Sequence, residues 1–291
     1  MRPLPSENST SVPISLKTHD AHPNPMGPPA KPRDRATGWT PIPDPEGRFS
    51  SGIPDFDRLL GGGFRRGSVA LFSLDESVGL EDLDLLTFPT YLNALYQSRG
   101  MVAVLPARDS PHGFRARLTR YVTRRRFDSR VRIFDYVGED RDLSYVVGIG
   151  DPDADFLEPK KDPKVRKAAI AKAVAAEKAA QGGRGRPFVE IVAFEVFDTL
   201  MGSESATKAF FHGVKRTRQL GNLAIGFLGP GLGCAAAVRR MCDFEFPLHR
   251  DDVGLIVRGT RPQFPSFVAT TDPTTGSPHV SFVPSPGARS D

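Results

Sequence analysis

"SGIPDFDRLLGGGFRRGSVALFSLDESVGLEDLDLL", residues 51–86, decides how the rest of the chain is read. Gly61, Gly62 and Gly63 permit a tight turn, and the apolar run Val69 to Phe72 that follows suits a strand buried on both faces. A strand leaving such a segment and entering a helix is where nucleotide-binding folds place a phosphate loop. Here that position holds one glycine, Gly79, no lysine, and the carboxylates of Asp75, Glu76, Glu81, Asp82 and Asp84.

Outward from this stretch, short apolar runs recur at Met101 to Leu105, Val131 to Phe134, Val189 to Phe194 and Leu223 to Phe227. Helical spacing lies between them: Leu85, Phe88, Leu92 and Leu95 share one face, as do Phe210, Val214 and Thr217 ahead of a stop at Gly221-Asn222. Pro89 predicts a kink or a second start in the first of these helices. Apolar strands alternating with helices give an α/β layered domain with a mostly parallel sheet. Phe264 to Thr270 and His279 to Val283, flanking Asp272 to Pro278, predict an antiparallel hairpin on its edge.

The chain has 291 residues, 39% of them hydrophobic and 25% charged, enough for one substantial core without metal or disulfide support. Residues 1–49 hold eleven of the 27 prolines and almost no periodic apolar pattern, so they are expected to form a disordered tail, with Trp39 and Ile42 as local contacts. The core domain is expected over residues 50–283, and residues 284–291 as a loose end. No run approaches the roughly 20 apolar residues of a membrane helix, and no apolar segment follows the first residues as in a signal peptide. The expectation is a soluble intracellular protein. Cys234 and Cys242 lack a CxxC spacing or a nearby histidine, which argues for packed thiols and against a metal site.

Two regions are strongly basic. Arg115, Arg117, Arg120, Arg124, Arg125, Arg126, Arg130 and Arg132 surround one helix and its exit, opposed only by Asp128. An insertion over residues 151–187 is alanine-rich and carries Lys160, Lys161, Lys164 and Lys167. Both read as solvated basic faces or as surfaces for an acidic partner or a phosphate backbone, and the net charge of +5 permits either. Without interleaved aromatics they do not form a stacking platform for single strands.

"SSGIPDFDRLLGGGFRRGSVALFS", "VAVLPARDSP", "VEIVAFEVFDTLMGS", "NLAIGFLGPG" and "VGLIVRGTRPQFPSFVATTD" occur in that order and at plausible spacing. Together they resemble the KaiC-like branch of the RecA superfamily over most of residues 50–283. The resemblance implies a RecA-like core, ATP and magnesium bound between subunits, and ring-shaped oligomers. Under it, Leu74, Asp75, Glu76, Ser77, Val78, Gly79, Leu80 and Glu81 occupy the Walker A segment. Gly79 matches the second glycine, but Leu80 stands at the lysine position and Glu81 at the hydroxyl position. The acidic pair after the second core strand becomes Ala107-Arg108-Asp109, and Glu195, followed by Asp198, takes the place of the magnesium-shell aspartate.

The replacements are repulsive as well as subtractive. A triphosphate entering the loop would meet carboxylates about 4 to 6 Å away, each opposing it by about 1 kcal/mol or more, whereas the same carboxylates suit the start of a helix. The sequence therefore predicts a catalytically inactive protein without a bound cofactor, acting as scaffold or regulatory subunit in a homo- or hetero-oligomer, for instance beside an active paralogue. The competing readings are an unorthodox ATPase that draws its lysine from Lys160 or Lys161, and a nucleic-acid-binding regulator. The acidic loop and the arginine-rich helix, opposite in sign, are expected to pack head to tail between subunits.

Overall fold

The computed structural model describes residues 39–135, 144–148, 175, 187–271 and 279–285. Lys160, Lys161, Lys164, Lys167 and the first 38 residues lie outside them. By its contacts the chain divides into Met1–Arg35 and Ala36–Asp291, and the strands and helices of the described residues belong to the second unit.

A ten-stranded sheet organises it. Seven strands run parallel, in the spatial order β9 (Phe244–Asp251), β3 (Ser68–Leu74), β8 (Leu223–Leu228), β7 (Val189–Ala193), β4 (Met101–Val104), β5 (Val131–Asp135), β6 (Val146–Gly148). Every residue of β3 is buried because both neighbours are parallel strands and helices cover both faces. The apolar runs in the sequence have the same origin. Beyond β9 the sheet turns antiparallel through β10 (Gly254–Thr260), β11 (Gln263–Thr271) and β12 (Val280–Pro284), and the last two form the expected hairpin, with Thr271 opposite Val280. A separate two-stranded ribbon, β1 (Arg48–Phe49) with β2 (Phe64–Arg65), precedes β3.

One face carries α1 (Pro54–Leu59), α2 (Leu80–Tyr96), α3 (Pro111–Leu118) and α4 (Arg124–Arg130), and the other α5 (Phe194–Met201), α6 (Ser203–Leu220) and α7 (Ala235–Met241). On the first face Phe56 meets Phe64, Phe246 and Phe282 with ring centroids 5.9, 5.0 and 5.3 Å away, locking α1 to β2, β9 and β12. Helix α2 continues through Pro89, so the proline does not mark a second start. The proline lies on a fully buried stretch against Gly52, and a Cβ on Gly52 would fall 2.4 Å from the Pro89 carbonyl oxygen. Helix α6 ends where expected: Gly221 is left-handed at φ 68, and the Asn222 N–H bonds the Thr217 carbonyl at 3.0 Å.

The expected tail boundary at residue 49 is too late. Trp39 is buried, and the Ile42 backbone exchanges hydrogen bonds with the Asn93 side chain at 2.7 and 3.0 Å. Asp44 forms a buried ion pair with Arg99, whose guanidinium stacks 4.4 Å from the Phe49 ring centroid. Residues 39–49 therefore strap α2 to the domain in spite of their prolines.

Candidate functional site

The loop Asp75 to Gly79 joins β3 to α2 at the carboxyl edge of the parallel strands, where open α/β sheets place their ligands. A phosphate loop works by presenting unpaired backbone N–H groups to an anion. In this loop four of them already have partners. The Asp75 N–H reaches the Leu248 carbonyl at 3.3 Å, the Ser77 N–H the Asp75 carboxylate at 2.8 Å, and the Val78 N–H the Asp75 carbonyl at 3.3 Å. The Gly79 N–H donates to the Asp82 carboxylate at 2.9 Å, a cap for α2 drawn from its own first turn.

Two arginines close the loop from outside. Arg108, from the segment after β4, donates to the Val78 carbonyl at 3.0 Å. Arg250, at the end of β9, pairs its guanidinium with Asp82, and its backbone N–H reaches the Ser77 hydroxyl at 2.7 Å. Leu80 packs half-buried against the core. Glu76 and Glu81 point to solvent.

Behind the loop, Arg117 lies between two carboxylates: it grips Asp109 with two bonds of 3.0 and 2.6 Å and approaches Asp84 at 2.6 Å. Burial pushes the Asp84 carboxyl up to about 6, and Arg117 only partly offsets this because it divides its charge with Asp109. Burial works against the charge of Arg117 itself, but its two acids outweigh it and hold its pKa above the ordinary value. Asp109, the residue that stands nearest to the position of a water-orienting base, is thus tied into an internal clamp.

Glu195 opens α5 and accepts the Ala107 N–H at 3.1 Å, so it braces the segment after β4. Asp198 lies one turn further on and has a buried oxygen without a hydrogen-bond partner. No group of three or more histidine, cysteine or carboxylate side chains converges to hold a metal ion among the described residues.

The arginine-rich helix divides in two. Arg115 and Arg117 face inward, Arg115 through a two-bond pair with Asp128 at 2.9 Å and a stack 5.0 Å from the Tyr145 ring centroid. Arg126 is half-buried on Tyr96, at 4.7 Å. Arg120, Arg124 and Arg125 are exposed. Arg117 and Asp84 pair within one chain, whereas Arg120, Arg124 and Arg125 and the loop carboxylates Asp75, Glu76 and Glu81 stay exposed.

Sequence reasoning passed over Arg250 and Glu190. Arg250 lies 168 residues from Asp82, too far for any local pattern to join them. Glu190 is half-buried in β7, its carboxyl pushed up to about 7 by desolvation, although Asn222 at 2.8 Å and Thr217 at 3.1 Å donate to it.

The family described as "GvpD basic region 2" matches residues 38–154. Protein GvpD2 of Halobacterium salinarum is 35% identical over 121 residues, 41% of this chain and 24% of its own length. Protein GvpD1 of the same organism is 35% identical over 101 residues, 34% of this chain and 19% of its own. This chain therefore spans about a quarter or less of the curated relatives it matches. Among solved structures, a KaiC-like protein of Pyrococcus horikoshii OT3 superposes with a TM-score of 0.53 at 13% identity, covering 81% of this chain and 99% of that one. An uncharacterized protein of Pyrococcus horikoshii, solved with an unknown peptide, gives 0.57 at 14% identity, covering 81% and 98%. Strand order, the helices on both faces and these superpositions identify the fold as that of the KaiC-like RecA proteins.

Proposed function

We propose that this chain is a RecA-like regulatory or scaffold subunit of a protein assembly, and that it works without nucleotide. The observation that carries the reading is the Gly79 N–H bonded to the Asp82 carboxylate, with three further loop N–H groups paired and Arg108 and Arg250 drawn in around them. An anion could enter only by displacing a carboxylate already bonded to that cap and paired with Arg250. Neither hydrolysis nor magnesium binding has a role in this reading, since Asp109 and Glu195 are engaged in structural contacts.

The partners are proteins, either further copies or a RecA-like paralogue that retains its phosphate loop. The match to the GvpD region supports a place in such a system, and an intracellular setting is part of the proposal. No helix among the described residues is long and apolar enough to cross a membrane.

Calorimetric titration with ATP and magnesium tests the reading. No heat of binding is expected at micromolar nucleotide. Magnesium-dependent capture that is lost on Glu195→Ala would overturn it in favour of an unorthodox ATPase. The exposed Arg120, Arg124 and Arg125 support a second reading as a nucleic-acid-binding regulator. It requires binding that weakens steeply with salt and fails when these three become serine.

A further inference from the structure

On the face of the sheet opposite α2, a cavity of about 170 Å³ lies between strands β4, β5 and β7 and helices α5 and α6. Four phenylalanines line it: Phe134 from β5, Phe194 and Phe197 from α5, and Phe210 from α6. Phe194 and Phe210 meet edge to face with ring centroids 4.6 Å apart, and the Phe194 ring lies over Gly226, where a Cβ would fall 2.7 Å from it. These two rings are therefore set before anything enters. On α6, Ala206, Ala209 and Gly213 share the side turned to the cavity. Glycine is unfavourable inside a helix, and a Cβ on Gly213 would meet no atom of the described residues within 4 Å, so packing among them does not demand it. Its effect is to keep the cavity open.

Glu190 is the one ionisable side chain that lines this cavity among the described residues. Its carboxylate is held in place from two sides. The Asn222 side-chain carbonyl accepts the Phe188 N–H at 3.2 Å, which turns the Asn222 amide nitrogen to Glu190 Oε1 at 2.8 Å. Thr217 Oγ1 reaches Oε2 at 3.1 Å. Each carboxylate oxygen has room for a further donor. Burial, Asn222 and Thr217 govern the titration of Glu190, and no cation among the described residues acts on it. A carboxylate in an apolar setting without a cation is an unfavourable arrangement, and bonds to Asn222 and Thr217 alone would be served as well by a neutral glutamine.

We propose that this cavity binds a small organic cation, an arylalkyl ammonium whose ring lies among the phenylalanines and whose ammonium donates to Glu190. An apolar cavity of about 150 Å³ accepts a benzene-sized molecule, so the volume here takes one ring. The faces of phenylalanine rings attract cations, and the carboxylate supplies the opposite charge that such a guest needs once it leaves water. An anion is disfavoured on both counts. A neutral alcohol of the same shape fills the volume but leaves Glu190 without a charge partner. The site lies on the other face of the sheet from α2, and it stands whether or not the loop Asp75 to Gly79 binds nucleotide.

Calorimetric titration of the full chain with phenethylammonium, phenethyl alcohol and phenylacetate tests it. At pH 8 the ammonium is expected to bind, the alcohol to bind at least about tenfold more weakly, and phenylacetate not to bind. Glu190→Gln keeps an acceptor for Asn222 and a partner for Thr217, so it is expected to fold as wild type while its affinity for the ammonium falls about tenfold and that for the alcohol stays the same. Gly213→Leu places a good helix former in the open space and is expected to abolish binding of both, with native circular dichroism. Lowering the pH from 8 to 6 carries Glu190 through its titration at about 7 and is expected to weaken the ammonium but not the alcohol. Absence of ammonium binding up to about 10 mM, which is weaker than the millimolar limit of specific recognition, would overturn the proposal. So would equal affinity for ammonium and alcohol, or wild-type affinity for the ammonium in either variant, which would leave Glu190 as a structural acceptor alone.

Discussion

The Asp82 carboxylate sits 2.9 Å from the Gly79 N–H and, through its other oxygen, pairs with Arg250, so one buried side chain ties the loop, the start of α2 and the end of β9 together. Asp82→Ala removes a helix cap, worth about 1 kcal/mol, and leaves Arg250 unpaired. A total loss of about 1 to 3 kcal/mol is expected in denaturant titrations. Asp82→Asn keeps an oxygen for Gly79 and is expected to lose less.

Arg117→Ala leaves the side chains of Asp84 and Asp109, 21% and 4% exposed, without their cation. Removing one member of such a buried set is expected to cost about 3 to 5 kcal/mol. Arg117→Lys should recover little of this, since an ammonium cannot reproduce the two-bond grip on Asp109. Comparison of the unfolding midpoints of both variants with wild type checks the expectation.

Glu190 titrates at about 7 in the folded protein against an ordinary 4.5, so the folded state binds the extra proton between those values. Its contribution to stability is complete below about 4.5 and is lost as pH rises through about 7, a change of about 3 kcal/mol by linkage. Asp84, raised from 3.8 to about 6, acts in the same direction over its own lower window. Chemical denaturation between pH 5 and 8 is expected to show stability falling with pH, and Glu190→Gln to flatten much of that slope.

Gly52→Ala is expected to cost more than an ordinary surface change. Its φ of 79 disfavours a side chain, and the added carbon would lie 2.4 Å from the Pro89 carbonyl oxygen. A loss of about 1 to 3 kcal/mol is expected if the loop shifts to relieve the contact. Amide exchange at α2 should report whether the helix loosens around Pro89.

The parallel strands were legible because burial on both faces leaves uninterrupted apolar runs such as Val69 to Phe72. Strand β9 was not, because Phe244, Phe246 and Leu248 alternate with Glu245, Pro247 and His249, and a proline inside a strand pattern argues against it. The strap over residues 39–49 was hidden for a different reason: its prolines read locally as tail, while Asn93, Gln97 and Arg99, about fifty positions away, hold it. At the site, Leu80 and Glu81 were readable as departures from a phosphate loop. The three-residue step from Gly79 to Asp82 is also a local pattern, that of a self-capped helix. The closure by Arg108 and Arg250 was not readable, since it depends on which strand ends the fold brings side by side.

At the first turn of α2 the Asp82 carboxylate meets the Gly79 N–H, so the positive end of this helix is answered by a negative charge that the chain itself carries.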